Sequence, residues 1–134
     1  MAERDPDRVE TGTFHQVLGY EVTAWREGYA CYEMPIQPHH LNRQGTLHGG
    51  VLSAIMDAVG MSAATWTPEG PRRAMTLSLS CSFVAAIETG TVKAEAWLTG
   101  GGRSTFFAEM KASEAGTGRL LATAQGVFRY AKLP

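Results

Sequence analysis

The sequence predicts an α+β domain, a mostly antiparallel sheet whose apolar face is covered by one long helix. Three observations lead there. Six segments alternate apolar and polar residues with a period of two, the mark of strands that turn one face to a core. One stretch, 49–65, carries the long apolar pattern of a helix. Gly- and Pro-bearing breaks separate these segments, and packing one helix layer on one sheet layer buries both apolar surfaces.

In chain order, Glu10–Leu18 places Phe14, Val17 and Leu18 at helical spacing, and Gly19 suits the residue just past a helix end. From Tyr20 the period becomes two. Tyr20, Val22 and Ala24 alternate with Glu21, Thr23 and Trp25, and Glu27-Gly28 marks a turn. Tyr29–Ile36 resumes the alternation with Ala30, Tyr32, Met34 and Ile36 on one face, so the two segments read as a hairpin. Pro35 and Pro38 end it. After the loop 39–47 comes the helix Gly49–Thr65, closed by Pro68, Gly70 and Pro71. Four strands come after it. Met75–Phe83 sets Leu77, Leu79, Cys81 and Phe83 against Thr76, Ser78, Ser80 and Ser82. Thr91–Leu98 sets Val92, Ala94, Ala96 and Leu98 against Lys93, Glu95 and Trp97. Gly100-Gly101-Gly102 turns the chain into Ser104–Ala112, and Arg119–Tyr130 closes it with Leu120, Ala122, Ala124 and Phe128 on one face.

A length of 134 residues fits one domain, 1–134, with a core of its own and a charged, proline-bearing start, Met1–Arg8, expected to fray. The hydrophobic share of 44% and charged share of 19% are those of a soluble globular protein. A net charge of -1 argues against a nucleic-acid partner, because phosphate contacts need clustered Lys and Arg. No apolar run approaches a membrane span or a secretory leader, so a cytoplasmic protein with no membrane partner is expected. Cys31 and Cys81 lie in strand segments and are expected to be reduced packing residues. His39, His40 and His48 lack a carboxylate or cysteine at ligand spacing, so no metal site is expected. Trp66 and Trp97 read as packing or interface residues, and Ser53 as helix packing.

The chemistry concentrates in 42–57. At about 100° per residue, Val51, Ile55, Val59 and Ser62 share one side of the helix, and Asp57 lies about 160° from Ile55, beside Ser53, Gly60 and Met61. Asp57 is the one charged residue in Gly49–Thr65, on a face of small residues where a solvated helix would carry several charges. A second subunit covering that face is the simplest explanation, and a carboxylate with limited water there suits a base or nucleophile. On helix pattern alone, an exposed or Arg-paired Asp57 is the competing reading. Gly49 and Gly50 sit where helix N–H groups are unpaired and the dipole is positive. Glycine lets a ligand approach such donors, and one donor to an oxyanion is worth about 3 kcal/mol in a transition state; an ordinary loop-to-helix turn is the plainer alternative. Eight residues separate Gly49 from Asp57, about 12 Å along one helix. One helix cannot bring both to a single carbonyl, whereas two antiparallel helices about a two-fold axis can.

Asn42-Arg43-Gln44-Gly45-Thr46-Leu47-His48-Gly49-Gly50, with Asp57 after it, resembles the hotdog-fold acyl-CoA thioesterases, in particular the phenylacetic-acid-degradation branch. The order of elements is similar over nearly the whole chain. The resemblance implies a sheet wrapped around one central helix and hydrolysis of aryl- or medium-chain acyl-CoA thioesters, with no cofactor beyond the CoA of the substrate. It implies that Asp57 activates water or attacks the thioester carbonyl, that Gly49 N–H polarises the carbonyl, that Asn42 holds the thioester or the water, and that His48 supports the loop or the substrate. Thr76 corresponds to a hydroxyl that places the water, with Ser78 the alternative. Gly50 joins the substrate-binding set, and Gly102, Arg103 and Ser104 lie where such proteins often touch CoA. A homodimer is required for the site, and a homotetramer, a dimer of dimers, is expected. Two rival readings are an acyl-thioester hydratase or dehydratase of the same fold, for which His48 and Asp57 supply the residue types, and a non-catalytic acyl-CoA-binding protein.

Overall fold

The computed structural model describes residues 13–132. The segment Met1–Arg8 and the first residues of the predicted helix Glu10–Leu18 lie outside the described residues. Within them, helix α1 (Phe14–Leu18) ends at Gly19, whose left-handed φ of 73° lets its N–H donate to His15 O at 2.8 Å. Strands β1 (Glu21–Arg26) and β2 (Tyr29–Pro35) form the expected hairpin. A 3-10 turn, Pro38–His40, opens the loop to helix α2 (Gly49–Thr65). Strands β3 (Ala74–Phe83), β4 (Thr91–Gly101), β5 (Thr105–Glu114) and β6 (Leu120–Tyr130) complete one antiparallel sheet of order β1-β2-β4-β5-β6-β3. Among the described residues no helix is long and apolar enough to cross a membrane.

The core is the seam between α2 and the sheet. Leu52, Ile55, Met56, Val59 and Ala63 of the helix meet Met34, Val92, Ala94, Ala96, Met110, Ala112, Leu121 and Phe128, all buried. Each large apolar side chain buried there stabilises the fold by about 1.5–3 kcal/mol. The small alanines of β4 and β5 let the sheet close around the helix. Gly60 makes the same allowance from the other side: a methyl group there would lie 2.9 Å from Met110 Sδ and 3.0 Å from Phe128 Cζ. Gly60 is therefore part of the packed face, not of an uncovered small-residue face shared with Asp57. The packed stripe runs through Leu52, Met56 and Gly60 as well as Ile55 and Val59, while Val51 and Ser62 lie at its margin.

Four strands carry a bulge that adds one residue and reverses the facing across it, β4 at Thr99 near its end and the other three where they change which residues face the core. In β1 the extra residue is Thr23, between the pairs Val22–Tyr32 and Ala24–Cys31. Val22 stays 48% exposed, and Trp25 packs on the core instead, with its indole N–H donating to Ser62 O at 2.7 Å. In β6 the extra residue is Leu121, fully buried, while Leu120, expected inside, is at the surface. In β3 the extra residue is Leu77, between Thr76–Phe128 and Ser78–Val127. Leu79 and Cys81 still reach the core, but Leu77 and Phe83 do not. Before this bulge it is Thr76 that faces the helix.

Candidate active site

The loop before α2 is held by its own polar side chains. Asn42 Oδ1 accepts the N–H groups of Gln44 at 2.9 Å and Thr46 at 3.2 Å, and Asn42 Nδ2 donates to Thr46 Oγ1 at 2.9 Å. An Asn side chain folded over the next few residues is the turn chemistry that gives the segment a fixed shape. His40 ties this loop in: its carbonyl accepts His48 N–H at 2.9 Å, and its Nδ1 accepts Gln37 N–H at 3.0 Å. His39 Nε2 lies 2.8 Å from Val17 O. The two histidines thus fasten the loop to its neighbours. Leu41, Asn42, Arg43, Gln44 and His48 line an open depression of about 600 Å³.

His48 caps α2. Its extended backbone starts the helix, and its Nδ1 accepts Gly50 N–H at 2.8 Å, which puts the proton of the neutral ring on Nε2. Its carbonyl accepts Val51 N–H at 3.0 Å and Leu52 N–H at 3.4 Å. Three donors of the first turn are therefore used, and among the described residues Gly49 N–H has no acceptor. The resemblance implies neighbouring roles for Gly49 and Gly50; the cap separates them, one free and one bound to His48.

Asp57 lies two turns on, half-buried. Thr76 Oγ1 donates to Asp57 Oδ1 at 2.6 Å, a short charge-assisted contact. Asp57 is thus on the flank of α2 next to β3, and among the described residues it is in no salt bridge. The Thr76 hydroxyl is the one that reaches it, while Ser78, the alternative, lies beyond the bulge and is exposed. The exposed turn Gly102-Arg103-Ser104 joins β4 to β5. Tyr130 N–H donates to Ser104 O, and Thr105 and Met75 both pair with Arg129. That turn is therefore at the Thr76 end of the sheet. Gly49 is at the other end of β3, against Phe83, with Cε1 of the ring 3.3 Å from where a Cβ on Gly49 would sit.

Within one chain the predicted residues other than those of the Gly102-Arg103-Ser104 turn form two groups. Asn42, His48, Gly49 and Gly50 gather at the start of α2, and Asp57 and Thr76 gather near its middle, about 12 Å further along the helix. Phe83 belongs to the first group, although alternation alone assigns it to the core. Its facing is the one alternation gives, shared with Leu79 and Cys81; alternation does not show that at this end of β3 the ring meets the start of α2 and not the core.

A six-stranded antiparallel sheet wrapped on one long helix is the hotdog fold, and solved structures share it. The Escherichia coli PaaI protein from the phenylacetic acid degradation operon superposes with a TM-score of 0.80 at 19% identity, over 88% of this chain and 83% of that one. The TT0310 protein of Thermus thermophilus gives a TM-score of 0.78 at 28% identity, over 96% of this chain and all, 100%, of that one. By sequence, the chain is 26% identical over 102 residues to acyl-coenzyme A thioesterase 13 of Mus musculus, covering 75% of this chain and 71% of the mouse protein. The thioesterase superfamily model matches residues 44–120, more than half of the chain and a stretch that holds His48, Gly49, Asp57 and Thr76. The chain belongs to the thioesterase superfamily.

Proposed function

We propose that the protein hydrolyses aryl- or medium-chain acyl-CoA thioesters to the free acid and CoA, as a member of the phenylacetic-acid-degradation branch. The observation that carries this reading is the pairing of a Thr-held carboxylate, Asp57, with a free helix N-terminal donor, Gly49 N–H, on one helix. Hydrolysis of a thioester needs a base or nucleophile and a donor for the oxygen that becomes an anion. Both are present, but too far apart in one chain to share a carbonyl.

A homodimer resolves the distance. The edge strand β3 has β6 on one side only, and it carries exposed Met75 and Leu77. An edge strand of 10 residues, open on one side and bearing apolar side chains, is a surface suited to a partner. Two copies related by a two-fold axis would set Gly49 of one against Asp57 of the other, and a dimer of dimers is compatible with that axis.

In such a site Gly49 N–H donates to the thioester oxygen, with the helix dipole behind it. Asp57, its carboxylate oriented by Thr76 Oγ1, takes a proton from water as the water oxygen attacks the carbonyl carbon. The tetrahedral oxyanion stays on Gly49 N–H. Collapse breaks the carbon–sulfur bond, and the CoA thiolate takes back the proton that Asp57 removed. Attack by Asp57 itself, with hydrolysis of the resulting anhydride, reaches the same products. His48 fixes the donor by capping Gly50, and Asn42 shapes the loop, so both act by positioning; Arg103 with Gly102 and Ser104 suits the CoA phosphates. No cofactor is needed beyond the substrate's own CoA.

The test is release of free thiol from phenylacetyl-, benzoyl- and hexanoyl-CoA by wild type, Asp57→Ala and Asp57→Asn. Wild-type turnover with both variants reduced by about 10³-fold or more is expected. Turnover unchanged in both variants would remove Asp57 from the mechanism, and tight acyl-CoA binding without any thiol release would make the protein a carrier.

A further inference from the structure

Phe83 is a large apolar residue at the end of β3 that stays 56% exposed, next to Val84 at 58%. Both are anchored rather than loose: Phe83 pairs with Ala122 in the sheet, and Val84 N–H donates to Leu121 O at 2.8 Å. The ring does not point away from the protein. Its Cε1 and Cζ lie 3.3 Å and 3.5 Å from where a Cβ on Gly49 would be. The first-turn N–H of α2 that has no acceptor among the described residues therefore emerges beside an aromatic wall.

An oxygen held by that N–H sits about 2.9 Å from the nitrogen, with its carbonyl carbon one bond beyond. Two groups leave that carbon, the acyl chain and the sulfur. The sulfur side continues into a chain of amides that need hydrogen-bond partners, and neither the Phe83 nor the Val84 side chain supplies one. The acyl chain needs apolar surface, which both supply. We propose that Phe83 is a specificity-determining residue of the thioesterase site described above, a reading on which this inference rests: its ring packs on the acyl group of the thioester that Gly49 N–H holds, and so selects apolar acyl chains over acetyl.

Two non-hydrolysable ketones, acetyl- and hexanoyl-dethia-CoA, in which a methylene replaces the sulfur, separate this contact from turnover. Calorimetry is expected to give wild type about tenfold or greater preference for the hexanoyl ketone. Phe83→Ala should lose that preference while keeping its affinity for the acetyl ketone, and Phe83→Leu should retain part of it. Equal affinity of wild type for the two ketones, or a Phe83→Ala loss shared by both, overturns the proposal. Thiol release from hexanoyl-CoA by wild type is measured alongside. Selective ketone binding without thiol release would sink the thioesterase reading and leave the Phe83 contact standing.

Discussion

Thr76 Oγ1 donates to Asp57 Oδ1 at 2.6 Å, which ties the edge strand of the sheet to the middle of the central helix. The contact exists because the bulge at Leu77 lets Thr76 face the helix while Leu79 and Cys81 still face the core. A hydroxyl in this place fixes the direction of the carboxylate and costs little to remove from the fold, since Asp57 is only half-buried. Thr76→Val should lower stability by roughly 1 kcal/mol. If Asp57 is the base, the same change should lower kcat by about a hundredfold through misorientation, with KM little altered. Thr76→Ser should restore most of the rate. Thioester hydrolysis with urea denaturation on the same samples checks both halves.

The architecture is legible in the sequence where periodicity is clean. Helix Gly49–Thr65 has the predicted bounds, and the strand starts and ends differ from expectation by at most three residues. The largest difference is at Gly100-Gly101-Gly102, read as a turn, where Gly100 and Gly101 still pair with Phe107 and Phe106 and the turn is Gly102-Arg103-Ser104. Bulges are what alternation hides. Thr23, Leu77 and Leu121 each flip the facing of their strand, and a bulge depends on the partner strand rather than on the residue itself. Alternation therefore puts Leu77 and Leu120 inside and passes over Leu121, while Phe83, in phase with Leu79 and Cys81, is exposed because it lies at the end of its strand. Thr76 is legible by resemblance only, since by alternation it sits opposite Leu79. On the helix, the wheel places Asp57 off the packed side and misassigns Gly60, whose lack of a side chain hides which neighbours it touches.

Gly60 gives a stability prediction that is independent of the chemistry. A methyl at this position would meet Met110 Sδ at 2.9 Å and Phe128 Cζ at 3.0 Å in the helix–sheet seam. Alanine has the better helix propensity by about 1 kcal/mol, so on an exposed helix it would stabilise. Here overpacking opposes it at about 1–3 kcal/mol. We expect Gly60→Ala to be neutral to destabilising by up to about 2 kcal/mol, read as a lower urea midpoint at unchanged m-value. A gain in stability would mean that the seam is looser than these distances.

His40 makes the loop before α2 acid-sensitive. The residue is 2% exposed, and its Nδ1 accepts Gln37 N–H, a contact that only the neutral ring can make. Burial first, and then the neighbouring His39, hold its pKa below the ordinary 6.5. Because the unfolded chain binds a proton that the folded chain refuses, this group contributes stability that is complete above pH 6.5 and is lost as pH falls through the depressed folded value. Thermal melts between about pH 7.5 and 5 should show a falling Tm in wild type and a flatter profile in His40→Gln, whose side chain has no proton to take up. Parallel profiles would assign the acid sensitivity to other groups.

The distance between Gly49 and Asp57 makes the sharpest prediction, because two variants can each disable a different half-site. Gly49→Pro removes the N–H that has no acceptor and leaves the Gly50–His48 cap in place. Proline is well suited to the first position of a helix, and the extended backbone of His48 (φ -66°, ψ 132°) is the conformation favoured before it. The exposed ring of Phe83 can turn to admit its Cβ. Asp57→Ala removes the carboxylate. Each variant alone should fold and hydrolyse acyl-CoA at a small fraction of the wild-type rate. Mixed under conditions that exchange subunits, equal amounts should form heterodimers as about half of all dimers, each with one site built from an intact Gly49 and an intact Asp57 of different subunits. About a quarter of the wild-type activity per protomer should return, scaling with the heterodimer fraction seen by native mass spectrometry. If both groups of a site came from one chain, every heterodimer site would lack one of them and no activity would return.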